Sequence, residues 1–236
     1  MRRSAHHAPG TLISVETGIN MPPRYYATIF QGWQFPAAVE AQQRFRKRLF
    51  VDELGWALQH RDGIERDEFD TGGAVYCSLF LGRDIVGCWR AIRGNEAYLG
   101  RKYFPQLAVL RPYPTSPDFW EITRLGAFEH SDHLLAVRYV YGLLFYFAQT
   151  RRATAVGGVM TPAHHRFAVM LGIRGRDYCQ PQVVGLDARG EPMEVLFGEA
   201  RMADQFGPRF EALCASINEL ELRDEALVLG RRSIPA

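Results

Sequence analysis

Two apolar runs, Ala74–Leu81 and Ile85–Ile92, flank the polar triplet Gly82-Arg83-Asp84, a pattern that predicts a β-hairpin. Upstream, Tyr26–Phe35 reads as a first strand. Pro36 then suits the start of a helix in which Ala38, Ala41, Phe45 and Leu49 recur at helical spacing. From Gly55 to Gly73 the chain is charged and without period, a long loop of the kind that is usually functional or disordered. Three prolines between Pro112 and Pro117 mark a further loop, and Phe119–Phe128 returns as a strand.

Asp132 is a candidate N-cap for a long helix from His133 to about Thr150. It carries Leu134, Leu135, Val137, Tyr141, Leu144, Phe145 and Phe147, apolar on most sides, so it is expected to be largely buried. Ala155–Met160 reads as a short buried strand, and Pro162 opens a helix that Gly172 ends. Val183–Leu186 and Glu194–Phe197, joined through Ala188-Arg189-Gly190, form a second expected hairpin. Phe206, Phe210, Leu213, Ile217 and Leu220 mark a C-terminal amphipathic helix. Residues 1–22 lack periodicity and are expected to be a flexible tail, with Met21 a second candidate start; residues 23–236 are expected to form one domain. Alternating strands and helices that include two hairpins imply an α/β fold, three-layered α/β/α around a mixed sheet.

Composition narrows the function classes. At 236 residues, the chain can bury roughly three quarters of its unfolded surface and needs neither disulfides nor metal to fold. A formal net charge of +2 argues against bulk nucleic-acid binding. Cys77, Cys88, Cys179 and Cys214 form no C-x-x-C pair, and no histidine follows at zinc spacing, so no metal site is expected. Cys77 and Cys88 lie in strand-like runs and read as small buried hydrophobes, in keeping with a reducing cytoplasm. No run has the length of a signal-peptide core or of a membrane span, so a cytoplasmic protein is expected.

The unusual feature is charge inside the most apolar segments. Arg90 ends Ile85-Val-Gly-Cys-Trp-Arg, Glu121 and Arg124 sit in Trp-Glu-Ile-Thr-Arg-Leu, and Asp67 and Asp70 lie just before the first hairpin. Charges in strand interiors are costly unless they are paired or face a cleft, so these three acids and two arginines are expected to neutralise one another, either as a structural cluster or around a polar site. Parity raises an objection. Glu121 and Arg124 are three residues apart, which in a regular strand puts them on opposite faces. Either a bulge brings them together, or they do not share a pocket.

The order Arg46-x3-Phe50-x5-Trp56-x10-Asp67-x2-Asp70-x19-Arg90-x13-Phe104-x16-Glu121-x2-Arg124 resembles the signature of the acyl-homoserine lactone synthase family. Leu54-Gly55-Trp56, Glu65-Arg66-Asp67-Glu68-Phe69-Asp70, Val86-Gly87-Cys88-Trp89-Arg90 and Tyr103-Phe104-Pro105-Gln106-Leu107 agree locally as well. Two departures stand out. Ala91-Ile92-Arg93-Gly94 replaces a usual Pro-Thr pair, and Thr123-Arg124-Leu125 stands where Ser-Arg-Phe is common.

The resemblance implies a fold similar to GNAT-type N-acyltransferases, with a V-shaped split in the sheet. It implies a reaction in which the amine of S-adenosylmethionine attacks an acyl thioester and the methionyl carboxylate then displaces methylthioadenosine to close a lactone. S-adenosylmethionine is a substrate in this scheme, and no cofactor is expected. Glu121 is the candidate base and Arg124 the candidate donor to developing negative charge, while Asp67, Asp70 and Arg90 hold the cluster and orient the substrate. Phe50, Trp56 and Phe104, with Arg46 beside them, are implied to line the sulfonium site, and Thr123 joins the substrate-binding set. On spacing alone Phe50 and Phe104 suit an ordinary core better than a ligand contact.

The acyl donor implied is a thioester of acyl carrier protein or of coenzyme A. The basic run Arg44, Arg46, Lys47 and Arg48 is a candidate docking patch for either, whereas Arg151 and Arg152 read as a solvated face. The helix around Tyr139–Phe147 is either the acyl tunnel or plain core. No nucleophilic triad is visible, and His130, His164 and His165 are expected at the surface. The alternatives are a GNAT-type acyltransferase acting on another amine without S-adenosylmethionine, and a non-catalytic binding protein.

Overall fold

A computed structural model describes residues 24–128 and 133–226. The expected tail 1–22, Met21, His130 and the Asp132 cap lie outside the described residues. Strand β1 (Tyr25–Gln31) leads to α1 (Pro36–Arg46), whose helix widens into π turns over Lys47–Glu53. A ribbon of β2 (His60–Arg61) and β3 (Ile64–Glu65) precedes the hairpin of β4 (Val75–Leu81) and β5 (Asp84–Arg93). Then come α2 (Leu99–Tyr103), β6 (Phe119–Ala127), α3 (His133–Thr150), β7 (Ala155–Met160) and α4 (Pro162–Met170). They are followed by β8 (Arg176–Asp177), β9 (Gln182–Leu186), β10 (Pro192–Arg201), α5 (Pro208–Ala215) and β11 (Glu221–Asp224).

The main sheet runs β11-β1-β4-β5-β6-β7-β10-β8, with β9 also on β10. Only the β1–β11 and β6–β7 pairs in it are parallel. Helices cover both faces, giving the expected three layers. Central strand β5 shows why its sequence is a continuous apolar run: its two faces are both buried. Trp89 and Ala91 point into the cluster under α3 and α5, while Cys88 and Ile92 point into the clusters on the side of α1 and α2. Helix α3 buries Tyr139, Val140, Leu143, Leu144, Phe145 and Phe147 along most of its circumference, as its composition predicts.

Three expectations need correction. The first strand stops at Gln31 and not Phe35, because the Gln31 amide donates to the Gln34 side chain in a turn. The segment 55–73 is not all loop. Asp62 and Gly63 both adopt positive φ (53° and 77°), which suits the two-residue turn between β2 and β3. The C-terminal helix is shorter than its apolar pattern suggests: Gly207 turns the chain at φ 104°, leaving Phe206 exposed outside α5 under the Arg174 guanidinium. Beyond it, a single 3-10 turn leads into β11, which joins β1 in parallel and had no signal in the sequence.

The feature that positions the site is a split. Strands β6 and β7 pair only at Phe119↔Ala155, Trp120↔Val156 and Glu121↔Gly157. Past these, β6 stays with β5 as far as Ala127 and β7 stays with β10 as far as Met160, so the two strands part. Gly158 sits at the fork, where a Cβ would come within 2.4 Å of the Ile122 carbonyl oxygen. Gly158→Ala is therefore expected to lower stability by about 1–3 kcal/mol in denaturant unfolding, as overpacking does. An unchanged midpoint would show that the fork opens without strain.

Candidate active site

The parity objection is resolved by a bulge. Cys88 lies opposite Gly126 and Arg90 opposite Thr123, so Trp89 alone faces the pair Arg124–Leu125. Arg124 takes φ 55°, a left-handed conformation that costs a non-glycine residue roughly 1–3 kcal/mol. The extra residue re-aims the Arg124 side chain onto the face that already carries Arg90 and Thr123.

On that face three arginines meet three carboxylates, with no net charge among the six. Arg46 Nε donates to Glu65 Oε2 at 2.5 Å, and its Nη1 and Nη2 reach Asp70 at 2.7 and 2.8 Å. Arg90 grips Asp67 with two bonds of 2.5 and 2.9 Å and donates to Thr123 Oγ1 at 3.1 Å. Arg124 binds Glu65 at 2.8 and 3.2 Å and Asp67 at 2.9 Å. The Tyr76 hydroxyl and the Asp67 amide each donate to Asp70 at 3.0 Å. Arg46, Arg90 and Glu65 are fully buried.

Burial on its own would raise the Asp67 and Asp70 carboxyls, but the Arg90 and Arg46 guanidiniums reverse it and hold both below the usual carboxylate range. Burial likewise opposes the charge on Arg46 and Arg90, and their carboxylate partners more than restore it. Asp67, Asp70, Arg46 and Arg90 are therefore ionised at neutral pH. Glu65 is its third acid, and no sequence signal distinguished it from the other charges of that loop. Because Asp67 keeps Arg124 and Asp70 keeps Arg46, loss of Arg90 would not strip both aspartates of partners.

Glu121 stands apart from this cluster, contrary to the expectation that it neutralises an arginine. Its Oε1 and Oε2 accept the backbone N–H groups of Gly100 and Leu99 at 2.7 and 2.8 Å, which anchors the start of α2 to the sheet. Burial pushes its carboxyl up to about 7, against the pull of the two amides and, more weakly, of Arg90 and Arg124. Gly100 must be glycine-sized, since a Cβ would meet Phe197 at 2.8 Å and Glu121 Oε1 at 3.2 Å.

A cavity of about 280 Å³ passes through the split. Trp56, Leu58, Leu99 and Phe104 line it on the α2 side; Tyr141, Leu144 and Phe145 of α3 and Ala168 of α4 line it on the other. Thr123 and Arg124 lie on its wall between the two ends. Arg124 Nη1 is the one nitrogen in the three clustered guanidinium groups with no hydrogen-bond partner among the described residues.

Of the predicted site residues, Trp56, Phe104, Thr123 and Arg124 line the cavity. Phe50 does not; it is buried and stacks under Trp56 with ring centroids 4.9 Å apart. The π turns explain this placement, because Leu54 N–H reaches Leu49 O and Trp56 N–H reaches Phe50 O at 2.8 Å, folding the chain back over Phe50. Arg46, Asp67, Asp70, Arg90 and Glu121 form the layer behind the wall.

Of the basic run only Arg46 is buried; Arg44, Lys47 and Arg48 line one surface depression together with Arg83, where Arg44 also pairs with Glu40 and Lys47 with Asp52. Arg151 is paired as well, with Asp224 of β11 at 2.7 Å. His164 and His165 are half-buried, on the face of α4 that lines the cavity. Among the described residues, no group of three or more His, Cys, Asp or Glu side chains is placed to hold a metal ion, and no helix is long and apolar enough to cross a membrane.

A mixed sheet forked at a parallel pair, covered by helices on both faces, defines the GNAT-like acyltransferase fold. The chain belongs to the autoinducer synthase family, whose model matches residues 35–171. It is 37% identical over 90 residues to an acyl-homoserine-lactone synthase of Acinetobacter nosocomialis, covering 37% of this chain and 49% of that one. It is 30% identical over 144 residues to one of Pseudomonas aeruginosa, covering 60% and 71%. For several of these curated relatives the matched part spans about half their length or less. The solved structure of BjaI, a coenzyme A-dependent acyl-homoserine lactone synthase bound to S-adenosylmethionine and isopentyl-CoA, superposes with a TM-score of 0.73 at 19% identity, covering 89% of this chain and 100% of that one.

Proposed function

We propose that this protein joins an acyl thioester to S-adenosylmethionine and releases an N-acyl-homoserine lactone, methylthioadenosine and the free thiol of the carrier, either acyl carrier protein or coenzyme A. The observation that carries this reading is Arg124. A bulge and a left-handed backbone hold it on the wall of a cavity that joins an aromatic end to an apolar one, with one guanidinium nitrogen unpartnered.

The aromatic end takes S-adenosylmethionine. Trp56, braced by Phe50, and Phe104 offer ring faces to the sulfonium, whose positive charge such rings attract. The acyl chain runs through the split toward Tyr141, Leu144 and Phe145, burying its methylenes against apolar side chains. The thioester carbonyl then lies at the fork, where Arg124 Nη1 supplies a fixed donor to the oxygen as negative charge develops.

The amine must lose a proton as it attacks, and Glu121 takes it up. With its carboxyl near 7, the group is poised between its two forms at neutral pH, as a general base requires. It is fully buried and off the cavity wall, so the transfer runs through a bridging water. Each oxygen already accepts one amide and keeps a further lone pair, so proton uptake does not release α2. The methionyl carboxylate next attacks the carbon next to the sulfonium, the carbon–sulfur bond breaks, and methylthioadenosine leaves with its electron pair.

The test is mass spectrometry of the protein incubated with S-adenosylmethionine and thioesters of both carriers. The expected products are an N-acyl-homoserine lactone and methylthioadenosine in equal amounts. Thioester consumption without methylthioadenosine would point to acylation of another amine. Trp56→Ala is expected to raise KM for S-adenosylmethionine roughly tenfold, the loss of one cation–π face, with a smaller change in kcat. An unchanged KM would move the sulfonium away from Trp56.

A further inference from the structure

Helix α2 supplies one side of the aromatic end of the cavity, through Leu99 and the Phe104 that directly follows it. At five residues it is too short to be stable alone, so tertiary contacts must hold it in place. Glu121 holds its start through the Leu99 and Gly100 amides. Its far end is exposed at Arg101, Lys102 and Tyr103, and Phe104 is only half-buried. Two contacts secure that end. The Tyr113 hydroxyl donates to the Phe104 carbonyl at 2.7 Å, and the Glu68 carboxylate accepts Lys102 Nζ on one oxygen and the Tyr103 hydroxyl on the other.

Glu68 comes from the turn that carries the buried cluster. Its neighbours Asp67 and Asp70 face inward onto Arg46, Arg90 and Arg124, which fixes the backbone of the turn. Buried Phe69 lies under the Arg90 guanidinium at 5.8 Å and meets the Tyr103 ring edge-on at 6.0 Å. Glu68 alone points outward and reaches across to α2. Lys102 first, and then Tyr103, hold its carboxyl below the usual carboxylate range, so it is charged at neutral pH. The turn thus joins a fixed buried network to an exposed part of the cavity wall.

An exposed ion pair adds little to global stability and is screened by salt. Its effect on a short wall element is larger, because a molecule whose clasp is open lacks a complete wall. The apparent affinity for a ligand of that wall falls with the closed fraction. We propose that Glu68 is a positioning residue for S-adenosylmethionine: by clasping Lys102 and Tyr103 it closes α2 onto the Asp67–Asp70 turn and sets Phe104 where the sulfonium binds. This rests on the reaction proposed above. Glu68 acts through α2 and not on the reacting atoms.

The experiment titrates the full chain with S-adenosylmethionine alone, then measures KM and kcat with a thioester. Glu68→Lys and Lys102→Glu are each expected to weaken binding by about fivefold or more, since each sets like charges together. KM for S-adenosylmethionine should rise in step, while kcat at saturation and the melting temperature stay near wild type. The double exchange restores opposite charges and is expected to return the affinity close to the wild-type value. Raising the salt to about 1 M should close the gap between wild type and single variants. Single variants that bind like the wild type, or a double exchange no better than the singles, would overturn the proposal and leave the reaction standing. A wild type that binds no S-adenosylmethionine would instead remove the reaction, and this role of Glu68 with it.

Discussion

Replacing Arg46 by alanine is expected to lower folding stability by about 3–5 kcal/mol, the cost of removing one partner from buried ion pairs. Arg46 is fully buried and spends every guanidinium nitrogen on Glu65 and Asp70, whose side chains are themselves almost completely inaccessible. Its loss leaves three carboxylates facing two arginines in a dry interior. Arg90→Ala leaves each aspartate an arginine, because Arg46 and Arg124 still hold Asp70 and Asp67.

The sign of the pH dependence makes the test sharper. In the wild type the folded Asp70 carboxyl lies below its unfolded value near 4, so its contribution is present above that pH and is lost as pH falls through the folded value. Without Arg46 the Asp70 carboxyl keeps only one arginine, Arg90, 3.0 Å away, against its burial, so its folded value moves up and less of that contribution remains above about pH 4. The gap between wild type and variant should therefore narrow on acidification in urea unfolding followed from pH 7 to pH 3. A gap independent of pH would show that solvent screens the cluster.

Glu121→Gln is expected to slow turnover by on the order of 10²–10⁴, the usual contribution of a positioned general base. The wild-type rate should rise with pH through an apparent value close to 7, and that limb should vanish in the variant. Stability should fall by less than in Arg46→Ala. The raised carboxyl gives Glu121 a contribution that is full below its unfolded value of about 4.5 and lost as pH rises through about 7, so at neutral pH the amide forgoes little of it. The amide accepts from one of the Leu99 and Gly100 N–H groups and leaves the other without an acceptor, a cost of about 1–3 kcal/mol. Wild-type rates with normal melting would leave Glu121 as the anchor of α2 and remove it from the chemistry. A slow variant with weakened S-adenosylmethionine binding would indicate that displacement of α2, which carries Leu99 and leads to Phe104, is the cause.

Much of the fold was legible locally. Pro36 marks the start of α1, Gly82-Arg83-Asp84 joins β4 to β5, and Gly172 closes α4 with φ 86°. The parity of Glu121 and Arg124 left two alternatives, and packing chose the bulge. Other features were invisible because they depend on partners remote in sequence. Strand β11 is too short and polar to show a period, and it exists because β1 offers an open edge. Glu65 looks like any charge in a polar loop until the fold sets it between Arg46 and Arg124, nineteen and fifty-nine positions away.

The identities and order of the charged and aromatic residues from Arg46 to Arg124, and the helix and strand periods around them, were determined by the sequence itself, because they are local properties of the chain. Which acid faces which arginine, how Glu121 comes to rest on two amides, where β6 and β7 part, and that His164 faces the cavity beside Tyr141 were decided only by the tertiary structure. Periodicity reports that a side chain is buried. It carries no information about what lies opposite, and the pairing of buried charges depends on contacts that close only when the strands assemble.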